Sequence, residues 1–412
     1  MKTAGIIAEY NPFHNGHLYH IEKTKKETGA DRIIVAMSGN FVQRGAPAIL
    51  DKYARTKSAL MSGADLVLQI SPMYSIASAE FFAMGAVSLL SNTGIVDYLS
   101  FGSEAGELDG LKKIAEVLSS EPPKFKKALQ KNLKNGNPFP VARSKAIIEC
   151  CPELTNTTEL LNSPNNILAI EYLKCLNRTA SSIEPVTVKR KGAGYNDPYD
   201  PGSSGISSKA IREAVFYGGK NSSLASYMPE ESHLQLKVSM DKKMTVDEND
   251  FSEMLIYKLL SERDKGYAGY LDVSGDMSDR ILNNLDKFTN ITSFCNLLKT
   301  KDKTYTRVSR ALFHILLNIR NIEAESNEYT GVCPYIRVLG FRKSSEDLLS
   351  EIKARASVPI ITGYNDAVKN LYSEPMELLK KESRIEDLYF AVQAMKSGLP
   401  CKPDMSRPVI VI

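Results

Sequence analysis

The sequence predicts an α/β fold: a mostly parallel sheet with a helical insertion, followed by a mainly helical region. Three observations point there. Short apolar runs alternate with helical patterns of about 10 to 15 residues over the first hundred or so positions, as in parallel strands joined by crossover helices. Residues 107–147 then become lysine-rich and amphipathic, interrupted by prolines. Beyond residue 220 several helical stretches follow, with only short strand-like runs among them.

In chain order, "TAGIIAEY" reads as a buried strand, followed by a loop and a helix that begins near Gly16 and runs through "HLYHIEKTKKETG". "DRIIVAMSG" is the next strand, and "NFVQRGAPAI" lies in the loop after it. "DKYARTKSALMSGA" reads as a helix, "DLVLQISP" as a third strand, "SAEFFAMGAVSLLSNTG" as another helix and "VDYLSFGSE" as a strand. Within the insertion, "KKIAEVLSSEPPKFKKALQKNLKNG" is helical. "NNILAIEYLKCLNR" carries apolar residues at helix spacing, and "IEPVTVKRKG" alternates like a strand. Residues 192–205, "GAGYNDPYDPGSSG", read as an exposed turn or loop. "ISSKAIREAVFYGG" follows as a helix capped by Ser207 or Ser208. Farther on, "NDFSEMLIYKLLS", "YTRVSRALFHILLNI" and "EDLLSEIKARA" are helical, while "PYIRVLGF" and "VPIITGY" are strand-like. The expected division is 1–220 and 221–412.

Composition bounds the function. A chain of 412 residues exceeds the usual single domain, and 43% hydrophobic with 24% charged residues is globular rather than disordered. The net charge of +4 permits an anionic partner without demanding one, so local basic segments matter more than the total. Six dispersed cysteines form neither a disulfide framework nor a zinc pattern. The N-terminal apolar segment is too short for a secretory signal and no run has the length of a membrane span, so the cytoplasm is the expected location.

The stretch "NPFHNGHLYH" places three of the five histidines within seven positions, directly after the first strand. At a strand-to-helix junction, free amides and the helix dipole favour an anion, and a glycine lets phosphate approach the backbone. His14 and His17, three apart around Gly16, can add donors where charge grows in phosphoryl transfer, whereas His20 reads as structural. The bland alternative makes His14 a turn cap and His17 a helix start. A zinc reading lacks spaced cysteines and the HExxH pattern, and a Walker-type reading lacks GxxxxGK[ST].

"EYNPFHNGH" together with "SSKAIR" resembles the HxGH and S-x-x-x-I-R signatures of the nucleotidyltransferases related to class I aminoacyl-tRNA synthetases. The ordered set "GIIAEYNPFHNGHLYHI", "SGNFVQRGAPAI", "FGSE", "SPNNILAIEYLK", "KRKGAGYND" and "PYIRVLGF" more closely resembles the bacterial tRNA(Met) cytidine acetate ligase family, over essentially the whole chain. The resemblance implies a Rossmann-like nucleotidyltransferase sheet in 1–220 and a candidate tRNA-binding region in 221–412. It also implies an activity that uses ATP and acetate to install N4-acetylcytidine at the wobble position of elongator tRNA(Met). ATP would contact the run Ile7, Ala8, Glu9, Tyr10, Asn11, Pro12, Phe13, His14, Asn15, Gly16, His17, Leu18, Tyr19 and His20. The backbone around Ala8 to Asn11 would hold its nucleoside side, and His14 and His17 would face its phosphates. Gly102, Asn165 and Arg190 are implied nucleotide contacts.

The second signature departs from the common form, with Lys209 in the threonine place. Ser207, Lys209 and Arg212 remain candidates to face the triphosphate, and Arg212 in particular offers a rigid cationic fork for leaving pyrophosphate. His14, His17 and Arg212 are therefore the candidate catalytic residues. Magnesium suits the polyphosphate chemically, but no two-carboxylate cage is visible and no metal ligands are assigned. Candidate RNA-facing segments are Lys124 to Lys134, Lys189 to Lys191, residues 299–310, and Arg337 with Arg342 and Lys343, with Tyr305 able to stack on an exposed base. Two alternatives stay open: a small-molecule adenylyltransferase, and a nucleotide- and RNA-binding regulator without turnover.

Overall fold

The computed structural model describes residues 1–154, 157–179, 181–190, 206–218, 221–321 and 332–412. The loop expected at 192–205, and Lys191, lie outside them. The first strands and helices, in chain order, are β1 (Thr3–Ala8), α1 (Asn15–Thr28), β2 (Arg32–Ser38), the hairpin β3 (Phe41–Val42) and β4 (Ala46–Pro47), α2 (Lys52–Met61) and β5 (Leu66–Ile70). Then come the helix Ala79–Asn92, β6 (Tyr98–Ser103), four insertion helices between Leu108 and Asn162, the helix Pro164–Arg178, β7 (Glu184–Lys189) and the helix Ser208–Tyr217. The remainder is mainly helical, with β8 (Ile336–Phe341), β9 (Ile360–Ile361) and β10 (Ile410–Val411).

The sheet order is β10-β8-β5-β2-β1-β6-β7, with β9 beside β8. β1 pairs in parallel with both β2 and β6, β2 with β5, and β6 with β7. Successive strands therefore step outward from β1 in opposite directions, toward β5 on one side and β7 on the other. The crevice beyond the carboxyl ends of β1 and β6 is the topological switch point, where open α/β sheets bind ligands. Every residue of β2 and β5 is buried, which is why both read as continuous apolar runs without alternation.

β8 runs antiparallel to β5, and β10 pairs in parallel with β8. The sheet thus crosses the expected boundary at 220, because the exposed edge of β5 is covered by a strand from the far end of the chain. One large apolar core likewise joins Ile34 and Leu68 of the sheet to Leu312, Val338 and Phe390. Helix α1 ends where the sequence indicates, at Gly29 in the left-handed region with its N–H bonded to Lys25 O. Asp51 caps α2 by accepting from the amides of Tyr53 and Ala54. Among the described residues no helix is long and apolar enough to cross a membrane, and the six cysteines are free.

Candidate active site at the switch point

Beyond the ends of β1, β6 and β7 lies a cavity of about 1220 Å3. It draws its lining from the stretch Ile7 to His20, from Gly102 and Asn165, from Arg190, and from Ser207, Lys209 and Arg212. Asn11 and Arg212, 201 positions apart in the chain, thereby share one wall. Three members of the expected ATP run are not part of the lining: Pro12, Phe13 and Leu18. Phe13 is buried against Tyr10, ring centroids 4.6 Å apart, and Leu18 packs on the main core.

Helix α1 opens with a reciprocal cap built from imidazoles. His14 Nδ1 accepts the Gly16 N–H at 3.0 Å, and His17 Nδ1 accepts the His14 N–H at 3.2 Å. Since both Nδ1 atoms are acceptors, each neutral ring must carry its proton on Nε2. Capping through Nδ1 thus leaves the Nε2–H of each ring to donate elsewhere. Burial first, then the charge of Arg190, pushes His14 down to about 3. Burial, His14, Arg190 and His20 together hold His17 well below the usual imidazole range. Both rings are therefore neutral donors near pH 7.

Gly16 has a different local reason from the one its sequence suggests. A Cβ there would stand 2.8 Å from His14 Cε1, so the missing side chain makes room for the capping ring. His20 Nε2 lies 3.0 Å from Ser100 Oγ, which lies 2.6 Å from Thr24 Oγ1, and Thr24 itself donates to His20 O at 2.8 Å. That chain ties His20, which also lines the cavity, to β6, and burial with Arg190 lowers it to about 4.

The remaining candidates are held by partners of their own. Arg212 Nη1 donates to Asn11 O at 2.6 Å, fastening the helix Ser208–Tyr217 to the loop after β1. Ser207 is that helix's cap, accepting from Ala210 N at 3.2 Å, and Lys209 pairs with Glu213 at 3.7 Å. Asn165 Nδ2 donates to Glu104 Oε1 at 2.7 Å, and Asn166 N donates to Glu104 Oε2 at 3.0 Å. Glu104 of the "FGSE" stretch is thus an anion at the start of the helix Pro164–Arg178.

Sequence reasoning passed over Arg55. Its buried guanidinium donates to the carbonyls of Leu50 at 2.9 Å, Glu9 at 2.7 Å and Ser38 at 3.1 Å, and also to Gly39 O. It therefore gathers carbonyls from the ends of β1 and β2 and from the turn before α2. Gln43 and Arg44 of the hairpin β3–β4 also line the cavity, and Gln43 N donates to Glu9 Oε1 at 2.9 Å. Gly45 closes that hairpin at φ 75°, where a side chain would collide with the backbone of Arg310. Among the described residues no group of three or more His, Cys, Asp or Glu side chains could hold a metal ion.

The basic segments fare unequally. Arg337 is not a surface cation: it is buried in β8 and pairs with Asp404 at 2.7 Å, because the strand that carries it lies inside the sheet. Arg342 Nη2 donates to Leu60 O at 2.8 Å, and Arg310 pairs with Asp272 at 2.9 Å. Lys303 pairs with Asp276. On the helix Pro123–Lys134, Phe125 and Ala128 face inward, leaving Lys124, Lys127 and Lys131 exposed.

A parallel sheet with a histidine-capped helix and a cavity at the switch point defines a nucleotidyltransferase of the HxGH class, and residues 1–399 match the family described as HIGH Nucleotidyl Transferase. Curated relatives named tRNA(Met) cytidine acetate ligase include one from Thermoanaerobacter sp. strain X514, 42% identical over 100% of both chains. Another, from Halothermothrix orenii, is 37% identical over 100% of this chain and 99% of its own. The chain belongs to the tRNA(Met) cytidine acetate ligase family. Crystal structures of Thermotoga maritima TmcAL are similar over 100% of both chains at 28% identity, with TM-scores of 0.92 for an apo form and 0.89 for one bound with alpha-thio ATP.

Proposed function

We propose that this protein is an ATP-dependent tRNA(Met) cytidine acetate ligase, which activates acetate as acetyl-adenylate and transfers the acetyl group to the wobble cytidine of elongator tRNA(Met). The observation that carries this reading is the pair of Nε2–H donors at the switch point, in a chain that aligns end to end with ligases of that name. The tRNA substrate puts the reaction in the cytoplasm.

In the first step an acetate oxygen attacks the α-phosphate of ATP and pyrophosphate leaves. Acetate is already ionised, so no base is needed and catalysis rests on alignment and charge stabilisation. His14 and His17 donate from Nε2 to phosphate oxygens. Arg212 donates from Nη1 to the carbonyl of Asn11, which anchors its guanidinium beside the loop after β1, and in this reading its other N–H groups serve the leaving pyrophosphate. Arg190 contributes positive charge from the end of β7, and the backbone near Ala8 to Asn11 holds the nucleoside side. Magnesium accompanies the polyphosphate in this reading. Among the described residues no group of three or more His, Cys, Asp or Glu side chains could hold it, and no step is assigned to it.

Incubating the protein with labelled acetate, ATP and unmodified tRNA(Met) tests the whole assignment. Expected products are N4-acetylcytidine, AMP and pyrophosphate in equal amounts. Pyrophosphate release with no acetylated tRNA would point to a small-molecule adenylyltransferase, and neither product would point to a binding protein.

A further inference from the structure

Part of the lining of the same cavity comes from the second half of the chain. Val246, Asp247 and Glu248 precede the helix Ser252–Glu262, while Tyr305, Thr306 and Ser309 belong to the helix Tyr305–Leu316. At about 1220 Å3 the cavity exceeds the roughly 300–1,000 Å3 typical of a pocket for one small ligand. ATP held by the histidines would therefore leave room in the same cavity for a second group.

That part of the lining is rigidly built. Asp247 Oδ1 accepts the amides of Asn249 at 2.8 Å and Asp250 at 3.3 Å, and Asp250 Oδ2 returns the bond to Asp247 N at 2.8 Å. Lys396 pins Asp250 at 2.6 Å. Tyr305 donates its hydroxyl to Glu248 Oε1 at 3.3 Å, and Thr292 donates to the same oxygen at 3.2 Å. Glu248 is thus occupied in fixing the ring of Tyr305, whereas the cap uses one Asp247 oxygen and leaves Oδ2 outside it. Burial, reinforced by Asp250, pushes the Asp247 carboxyl above its ordinary range, which makes it a better proton acceptor.

Cytosine presents an exocyclic amine whose hydrogens a carboxylate accepts, and a flat face that an aromatic ring can stack on. Resting on the ligase reading, we propose that this wall is the acceptor compartment, in which the target cytosine stacks on Tyr305 and Asp247 takes the proton of its amine. The amine lone pair forms the C–N bond to the acetyl carbonyl. The acyl C–O bond to the adenylate phosphate breaks, its electron pair leaving with AMP, and the displaced amine proton passes to Asp247 Oδ2.

The test separates the two half-reactions in Asp247→Asn, whose amide oxygen keeps the cap and hence the fold. Acetate-dependent exchange of pyrophosphate into ATP should stay within about threefold of the parent. Single-turnover acetyl transfer to tRNA should fall by about 10²–10⁴, the usual worth of a positioned base. Tyr305→Ala should raise the tRNA concentration needed for half-maximal transfer, with exchange retained. Parental transfer rates in Asp247→Asn would overturn the assignment, as would equal loss of both half-reactions, which would place Asp247 in the ATP site or the fold. A parent chain that shows no exchange would instead remove the ligase reading itself.

Discussion

The imidazoles of His14 and His17 lie face to face, ring centroids 3.9 Å apart and planes inclined by 30°, each ring bonded through Nδ1 to backbone at the start of α1. Stacking and capping together fix where both Nε2–H groups point before any ligand arrives, which is the preorganisation that electrostatic catalysis requires.

Replacing His14 by asparagine separates its two jobs. The amide oxygen can still accept the Gly16 N–H, so thermal stability should stay close to the parent, while His14→Ala should lose about 0.5–2 kcal/mol as an uncapped helix. Acetate-dependent pyrophosphate exchange should drop by about 10²–10³ in both, the loss typical of one transition-state donor. Parental exchange in the folded asparagine variant would exclude His14 from the phosphate role.

The lowered imidazoles also set an acid limit. His14 near 3, His20 near 4 and a strongly lowered His17 all bind fewer protons folded than unfolded, where the value is about 6.5. Their contribution is complete above the unfolded value and is lost as pH falls toward the folded ones. Stability should therefore decline from about pH 6.5 downward, by up to about 1.4 kcal/mol per pH unit for each ring. Denaturant titrations between pH 7.5 and 5 check this. His20→Gln should flatten the profile, and an unchanged slope would mean that His20 titrates normally.

A third expectation concerns charges outside the cavity lining. Lys52 pairs with Asp404 at 2.7 Å and lies 3.6 Å from Glu386, and Arg337 pairs with Asp404 at 2.7 Å, all buried. Asp404→Ala leaves two cations without their shared partner and should cost about 3–5 kcal/mol. Urea unfolding measures it, and a loss under about 1 kcal/mol would show that the network relaxes or admits water.

For tRNA, the exposed face of the helix Pro123–Lys134 offers Lys124, Lys127 and Lys131. Replacing all three by alanine should weaken tRNA binding while pyrophosphate exchange stays intact. The slope of log affinity against log salt should become shallower by about one for each phosphate no longer neutralised. An unchanged slope would make this face an ordinary solvated surface.

Much of the first half was legible because its central strands β2 and β5 are buried on both sides and its helices carry their own boundary signals, such as Asp51 at the start of α2 and Gly29 at the end of α1. The histidine stretch was legible as chemistry because side chains of that type rarely cluster without a task. The long helix Glu374–Ser397 was not, since its inward face mixes Glu382, Ser383, Glu386 and Gln393 with Leu379, Ile385, Tyr389 and Phe390, which blurs the apolar stripe. Arg337 was misread as a surface charge for the complementary reason: its partner Asp404 is 67 positions away, and pairing at that range leaves no local pattern. Asp247 and Arg55 escaped notice likewise, one inside a polar turn and the other on a helix that looked merely amphipathic.

The strand order has a consequence for how the protein emerges from the ribosome. β5 receives its second neighbour only when residues 336–341 have been made, and Lys52 meets its carboxylates only after Glu386 and Asp404. A nascent chain released near residue 220 would expose a bare sheet edge and a lysine buried without its counter-charges. Residues 1–220 are therefore not a portable module that could be cut out or fused elsewhere, and their supports are complete only when β10 has been translated.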